Sequence, residues 1–206
     1  MQSLGFIESP FLSVSAVLAH TATTAAEVRI LGFESVGNEC LLIRLGGEMD
    51  QVRAALDAAE KRAPLLGVSI LTRLVPRPAE GFDPMINFPN SVSPLYGGRD
   101  QFLPTDHPSN PDSSMNTKLP AIGILETQGL TASLEATDAM LKSANIKLVG
   151  KEKIGAAYVA VIISGDVAAV QVAIDAGKQA VGSLGKLIAA HVIARPHDEL
   201  MALLPK

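Results

Sequence analysis

Tryptophan is absent from the chain, cysteine occurs once and tyrosine twice. Recognition of single-stranded nucleic acid needs rings on which bases stack, and six phenylalanines with two tyrosines are few for that purpose. Charge points the same way: 17 Lys and Arg are scattered among 21 Asp and Glu, and a net charge of −4 leaves no basic footprint. A lone cysteine, Cys40, excludes an internal disulfide and suits a reducing cytosol. Long apolar runs are also missing. The stretch 156–163 is ended by Ser164-Gly165-Asp166, well short of the ~20 residues of a membrane span. Glu8 interrupts the first apolar stretch and no basic residues precede it, so no secretory signal is expected. The histidines at 20, 107, 191 and 197 show no ligand spacing on a helix face, and Asp106-His107 is only a two-ligand pair. No Gly-rich phosphate loop or Gly-x-Ser-x-Gly elbow is present. The expectation is a protein without catalytic residues, cofactor, metal, nucleic acid or membrane as partners.

What the chain does have is apolar surface and a repeat. Hydrophobic residues make up 48% and charged residues 18%, and the mean hydropathy of +0.28 is high for a soluble monomer. With no membrane span to absorb that surplus, extensive protein–protein interface is expected. At an offset of 118 residues, Glu8 falls on Glu126, and Leu4-Gly5-Phe6-Ile7 on Ile122-Gly123-Ile124-Leu125. In the same register Leu12 meets Leu130, Gly32 meets Gly150, Gly37 meets Gly155, and Gly47 meets Gly165. Asp57-Ala58 then meets Asp175-Ala176, Gly67 meets Gly185, and Arg77-Pro78 meets Arg195-Pro196. The 206 residues thus divide into two copies of one small domain, each about 80 residues long. Domains of that size bury a limited fraction of their surface and gain from a partner.

The second copy predicts a strand at 121–126 and a helix at 131–144 with Leu134, Ala139, Leu141 and Ala144 on its buried face. Strands at 146–149 and 158–163 follow, joined by 151–157. Asp166 is then the N-cap of a helix reaching about Val181, carrying Val167, Val170, Ala173 and Ile174 inward. Gly182 and Gly185 end it, a fourth strand occupies 187–193, and a closing helix 197–204. The order β-α-β-β-α-β places two helices on one face of an antiparallel sheet. The first copy repeats the order over 3–78 without the closing helix. We therefore expect domains at 1–78 and 121–206. Between them, 79–120 is rich in Pro, Gly, Ser, Asn and Asp and reads as a loop or linker.

Taken in order, the strings at 121–127, 138–145, 153–155, 164–170 and 193–197 (Ile-Ala-Arg-Pro-His) resemble the bacterial microcompartment shell domain. The likeness runs through nearly all of 121–206 and more weakly through 3–78. It implies an α/β (α+β) fold of two tandem ferredoxin-like shell domains in unpermuted order, forming a pseudohexameric trimer. The implied function is a structural shell protein in a cytoplasmic microcompartment, a facet tile with a central pore for metabolite passage. Implied partners are further copies of itself, other shell proteins and encapsulated enzymes. The pore would be lined by Gly155, Ala156 and Ala157 and, at the same offset, by Gly37, Asn38 and Glu39. Three Glu39 carboxylates around the axis would favour cations and hinder anions. Tile edges would use Lys142, Arg195, Pro196 and His197; the first copy keeps only Arg77-Pro78, with Thr24 and Ala79 in place of the lysine and histidine. Unpermuted order resembles the propanediol-type tandem class that carries a pore metal cluster. The cluster cysteine's position corresponds to Gly37, however, and Cys40 reads as a packed thiol opening a strand. The rival reading is a ligand-binding regulator of tandem ferredoxin-like domains, which would need a polar effector pocket between domains.

Overall fold

The computed structural model describes residues 2–37, 40–80, 120–155 and 157–201. The first copy runs β1 (Ser3–Pro10), α1 (Leu12–Ala25), β2 (Arg29–Gly37), β3 (Cys40–Gly47), α2 (Met49–Arg62), a 3-10 turn (Ala63–Leu66) and β4 (Leu71–Val75). The second runs β5 (Ala121–Gln128), α3 (Leu130–Ser143), β6 (Ile146–Gly155), β7 (Tyr158–Gly165), α4 (Val167–Val181), β8 (Lys186–Ile193) and a closing helix, α5 (Asp198–Met201). Each copy forms a four-stranded sheet, β2-β3-β1-β4 and β6-β7-β5-β8, with every pairing antiparallel. The expected β-α-β-β-α-β order is the order the chain adopts. Most of the expected linker, 81–119, lies outside the described residues.

The repeated glycines serve packing as well as turns. A Cβ on Gly5 would stand 2.7 Å from Val52 Cγ1, and one on Gly123 would stand 2.8 Å from both Val170 and Ile174. The bare backbone there lets the second helix of each copy settle onto its central strand. Gly32 and Gly150 both sit where the register of the edge strand shifts against its partner, so the repeat preserves a bulge. Asp166 caps α4 as predicted, its side chain accepting the Ala168 N–H at 2.9 Å.

Three expectations need correction. The buried face of α3 is Ala132, Ser133, Ala136 and Met140, whereas Leu134 is 57% and Leu141 45% exposed. The helix packs closely on α4, where the bare backbone of Gly177 makes room for Met140 (a Cβ there would be 2.8 Å from Met140 Cγ), and small residues fill the rest of that face. Val167 is likewise 44% exposed at the start of α4. Finally, β6 continues to Gly155 and pairs with Tyr158. The charged stretch 151–153 is therefore strand, because the ladder is made by backbone groups whatever the side chains; Lys151 is exposed and Glu152, on the other face, half-buried.

The two copies share a core. Along β5, Ala121 and Leu125 point toward α3 and α4, while Ile122 and Ile124 join Ala160, Ile162 and Ile193 in a cluster with Leu12, Val14, Leu18 and Ala22 of α1. Alternate residues of β5 thus bury on opposite faces, and α1 is enclosed between its own sheet and that of the second copy. Each such isoleucine contributes about 1.5–3 kcal/mol on full burial. The closing helix α5 crosses the same junction: Leu200 is fully buried, and Glu199 Oε2 accepts the Ile30 N–H of β2 at 3.2 Å.

Candidate functional site

The junction is held by a buried carboxylate. Glu126, on the outer face of β5, is fully buried and lies at the N-terminus of α1 from the other copy. The Leu12 N–H donates to Oε1 at 2.7 Å and the Ser13 N–H to Oε2 at 2.8 Å. The Ser13 hydroxyl also donates to Oε2. The first N–H groups of a helix have no partner within it, and the positive end of its dipole favours an anion there. Burial pushes the Glu126 carboxyl above its ordinary range, and the three donors from Ser13 and Leu12 pull it partly back. Beside this contact the rings of Phe11 and Tyr158 stack across the junction with centroids 6.0 Å apart. Sequence reasoning passed over Glu126. The available signal was a single carboxylate in an otherwise apolar strand, at the same place in both copies.

Of the residues expected at the pore, Gly37, Gly155 and Ala157 are among those described. Gly37 closes β2 opposite Cys40, and Gly155 closes β6 opposite Tyr158. Asn38, Glu39 and Ala156 lie outside the described residues. Ala157 is exposed with a positive φ of 66°, and its carbonyl accepts the Gly129 N–H at 2.9 Å, tying the tip of the hairpin to the start of α3. Cys40 is half-buried at the first position of β3. Among the described residues no three His, Cys, Asp or Glu side chains are grouped to hold a metal.

The residues expected at tile edges lie elsewhere. Lys142, near the end of α3, is exposed and paired with Asp138 one turn earlier. Arg195 and Arg77 are exposed, Pro196 is buried and His197 is half-buried, with its Nδ1 accepting the Glu199 N–H at 3.3 Å. Arg195 also borders an open cavity of about 380 Å³ at the junction, lined by His20 and Arg62 of the first copy and His191 of the second. Burial pushes His20 down, with His197 adding to it; burial likewise pushes His191 down, reinforced by Arg62 and Lys178. No helix of the described residues is long and apolar enough to cross a membrane.

Two ferredoxin-like units fused through a shared core are the architecture in which the family comparison falls. Residues 3–78 and 121–196 each match the BMC domain, and the chain belongs to that family, as a tandem-domain shell protein of a bacterial microcompartment. It is 56% identical over 86 residues to the Citrobacter freundii bacterial microcompartment shell protein PduA, covering 42% of this chain and 92% of that one. It is 34% identical over 183 residues to the carboxysome assembly protein CcmO of Synechococcus elongatus, covering 88% of this chain and 61% of that one. A crystal structure of a microcompartment protein from Desulfitobacterium hafniense DCB covers 98% of both chains at 23% identity, with a TM-score of 0.39.

Proposed function

We propose that three copies of this chain close into a ring of six domains, a pseudohexameric facet tile with a metabolite pore on its axis. The observation that carries this reading is the unequal treatment of two equivalent helices. In α1, Leu12 is 1% and Ala16 0% exposed, because the second copy covers them. Their counterparts in α3, Leu130 and Leu134, are 43% and 57% exposed. A head-to-tail junction uses one face of each domain and leaves the complementary faces open, and closed cyclic symmetry fills them.

In such a ring the hairpin tips would converge on the axis, with Gly37, Asn38 and Glu39 alternating with Gly155, Ala156 and Ala157. Lys142, Arg195, Pro196, His197 and Arg77 would lie along the outer boundary, facing neighbouring shell proteins. The role is structural and selective rather than catalytic, with enclosed enzymes as further partners. The open cavity beside Arg195 is the feature a ligand-binding regulator would need, but the relatives are shell and assembly proteins.

Co-assembly with other shell proteins tests both roles. Arg195→Ala should leave the soluble particle intact while lowering its incorporation into shells. Glu39→Gln should incorporate normally and relax exclusion of a small anion relative to a neutral analogue. Loss of the particle in the first variant, or an unchanged flux ratio in the second, would sink the corresponding assignment.

A further inference from the structure

We propose that Glu8 is the joint between subunits: its carboxylate enters a second copy of this chain and accepts hydrogen bonds from the Leu130 and Thr131 N–H groups and from the Thr131 hydroxyl. This rests on the ring reading and goes beyond it by naming the contact. Within one chain the same device is already built, with Glu126 accepting from Leu12 and Ser13. The offset that carries Glu8 onto Glu126 carries Leu12 onto Leu130 and Ser13 onto Thr131, keeping a hydroxyl at that position.

The backbones agree as well as the letters. Glu8 is paired with Leu42 and Leu71 in its sheet, and Glu126 occupies the same central-strand position between Ala160 and Ala189. Both donor helices begin after a residue of positive φ, 61° at Phe11 and 113° at Gly129. Gly129 has no side chain with which to cap α3 itself.

The surroundings are those of an interface lacking its other half. Glu8 is half-buried, as are Phe6, Leu42 and Val75 on the same sheet face, where the counterparts Glu126, Ile124 and Ala160 are fully buried and Ile193 is 4% exposed. In the ring they would face the Leu130 and Leu134 of a second copy of the chain, both exposed in the single chain. The sheet face belongs to the first copy and the helix face to the second, on the two free sides of a head-to-tail pair. A second copy of the chain therefore carries the complement.

The two kinds of junction would not be identical. The stacked Phe11–Tyr158 pair becomes Gly129 and Cys40 at the same offset. Arg44, only 4% exposed and 3.9 Å from Glu34, stands where the second sheet has Ile162. The junction between subunits thus has a smaller aromatic component and depends more on its carboxylate.

The test is native mass spectrometry and sedimentation of the full chain over a range of concentrations, for wild type, Glu8→Gln, Thr131→Val, the double variant and Glu126→Gln. Glu8→Gln should weaken subunit association by roughly tenfold to a hundredfold per junction, the range for a hydrogen bond to a charged group, while the dissociated chain keeps its circular dichroism and unfolding midpoint. Thr131→Val should weaken association by a smaller factor, and the double variant should fall short of the product of the two, as contacting residues do. Glu126→Gln should instead lower the stability of the single chain at every concentration. A trimeric wild type with Glu8→Gln associating equally well would overturn the role of Glu8 and leave the ring standing. A wild type that never forms a trimer would overturn the ring reading, and this contact with it.

Discussion

The residues that matter most here are those whose size or charge fits only one neighbour. Gly123 lies beneath α4 with Val170 and Ile174 each 2.8 Å from where its Cβ would be, and these β-branched side chains have few rotamers to which they can retreat. Gly123→Ala should therefore cost about 1–3 kcal/mol, the range for overpacking a core, read as a lower urea midpoint with an unchanged slope. An unchanged midpoint would mean that α4 can lift off β5 freely. Glu126 is the other such residue. A buried carboxylate is expensive unless its oxygens are occupied, and here three donors from another domain occupy them. Its location in an apolar strand was plain in the sequence. Its purpose was not, because two of the three donors are backbone groups 113 and 114 residues away, and the third is a single serine hydroxyl that nothing in the letters links to it.

At the scale of elements, strands were easier to read than helix faces. Strand β5 is apolar at successive positions because both its sides are covered, and that pattern is visible in the letters. In α3 the largest apolar residues were expected inward. The helix instead presents Ala132, Ala136 and Met140 to its own domain and leaves Leu134 and Leu141 outside. Residue size predicted the wrong face because two apolar faces compete, and the inward one pairs two alanines with a Met140 that Gly177 of α4 accommodates. Strand β6 was cut short for a related reason: Lys151, Glu152 and Lys153 look like loop, yet they pair with Val161, Ala160 and Val159.

The junction between α1 and β8 also makes a prediction about pH. His20 and His191 are both held below the ordinary value of 6.5, chiefly by burial. The unfolded chain therefore takes up protons first, so their contribution is fully present above about pH 6.5 and is lost as pH falls toward the folded values. Glu126 and Glu152, both raised by burial, work in the opposite sense, their contribution growing as pH falls through their raised values. Replacing both histidines by Gln should remove the histidine part, making the loss in urea midpoint between about pH 7.5 and 5.5 smaller than in wild type. An equal or steeper loss would place the histidine protons elsewhere.

At the scale of the molecule, an apolar composition, an internal repeat and two unequal helices converge on one account. The second copy does for the first what none of the described residues does for the second. It covers the outer face of α1 and caps its N-terminus, whereas α3 keeps exposed leucines and a glycine at its start. Alternatives to a ring are an open filament, if the rotation between domains does not close, or a monomer that tolerates the exposed surface. The direct discriminator is the mass of the purified full-length particle in solution, measured by light scattering over a wide concentration range. The account predicts about 64 kDa, three chains of 21.5 kDa, independent of concentration above a threshold. A mass that stays at one chain throughout, or that climbs without limit, would contradict it.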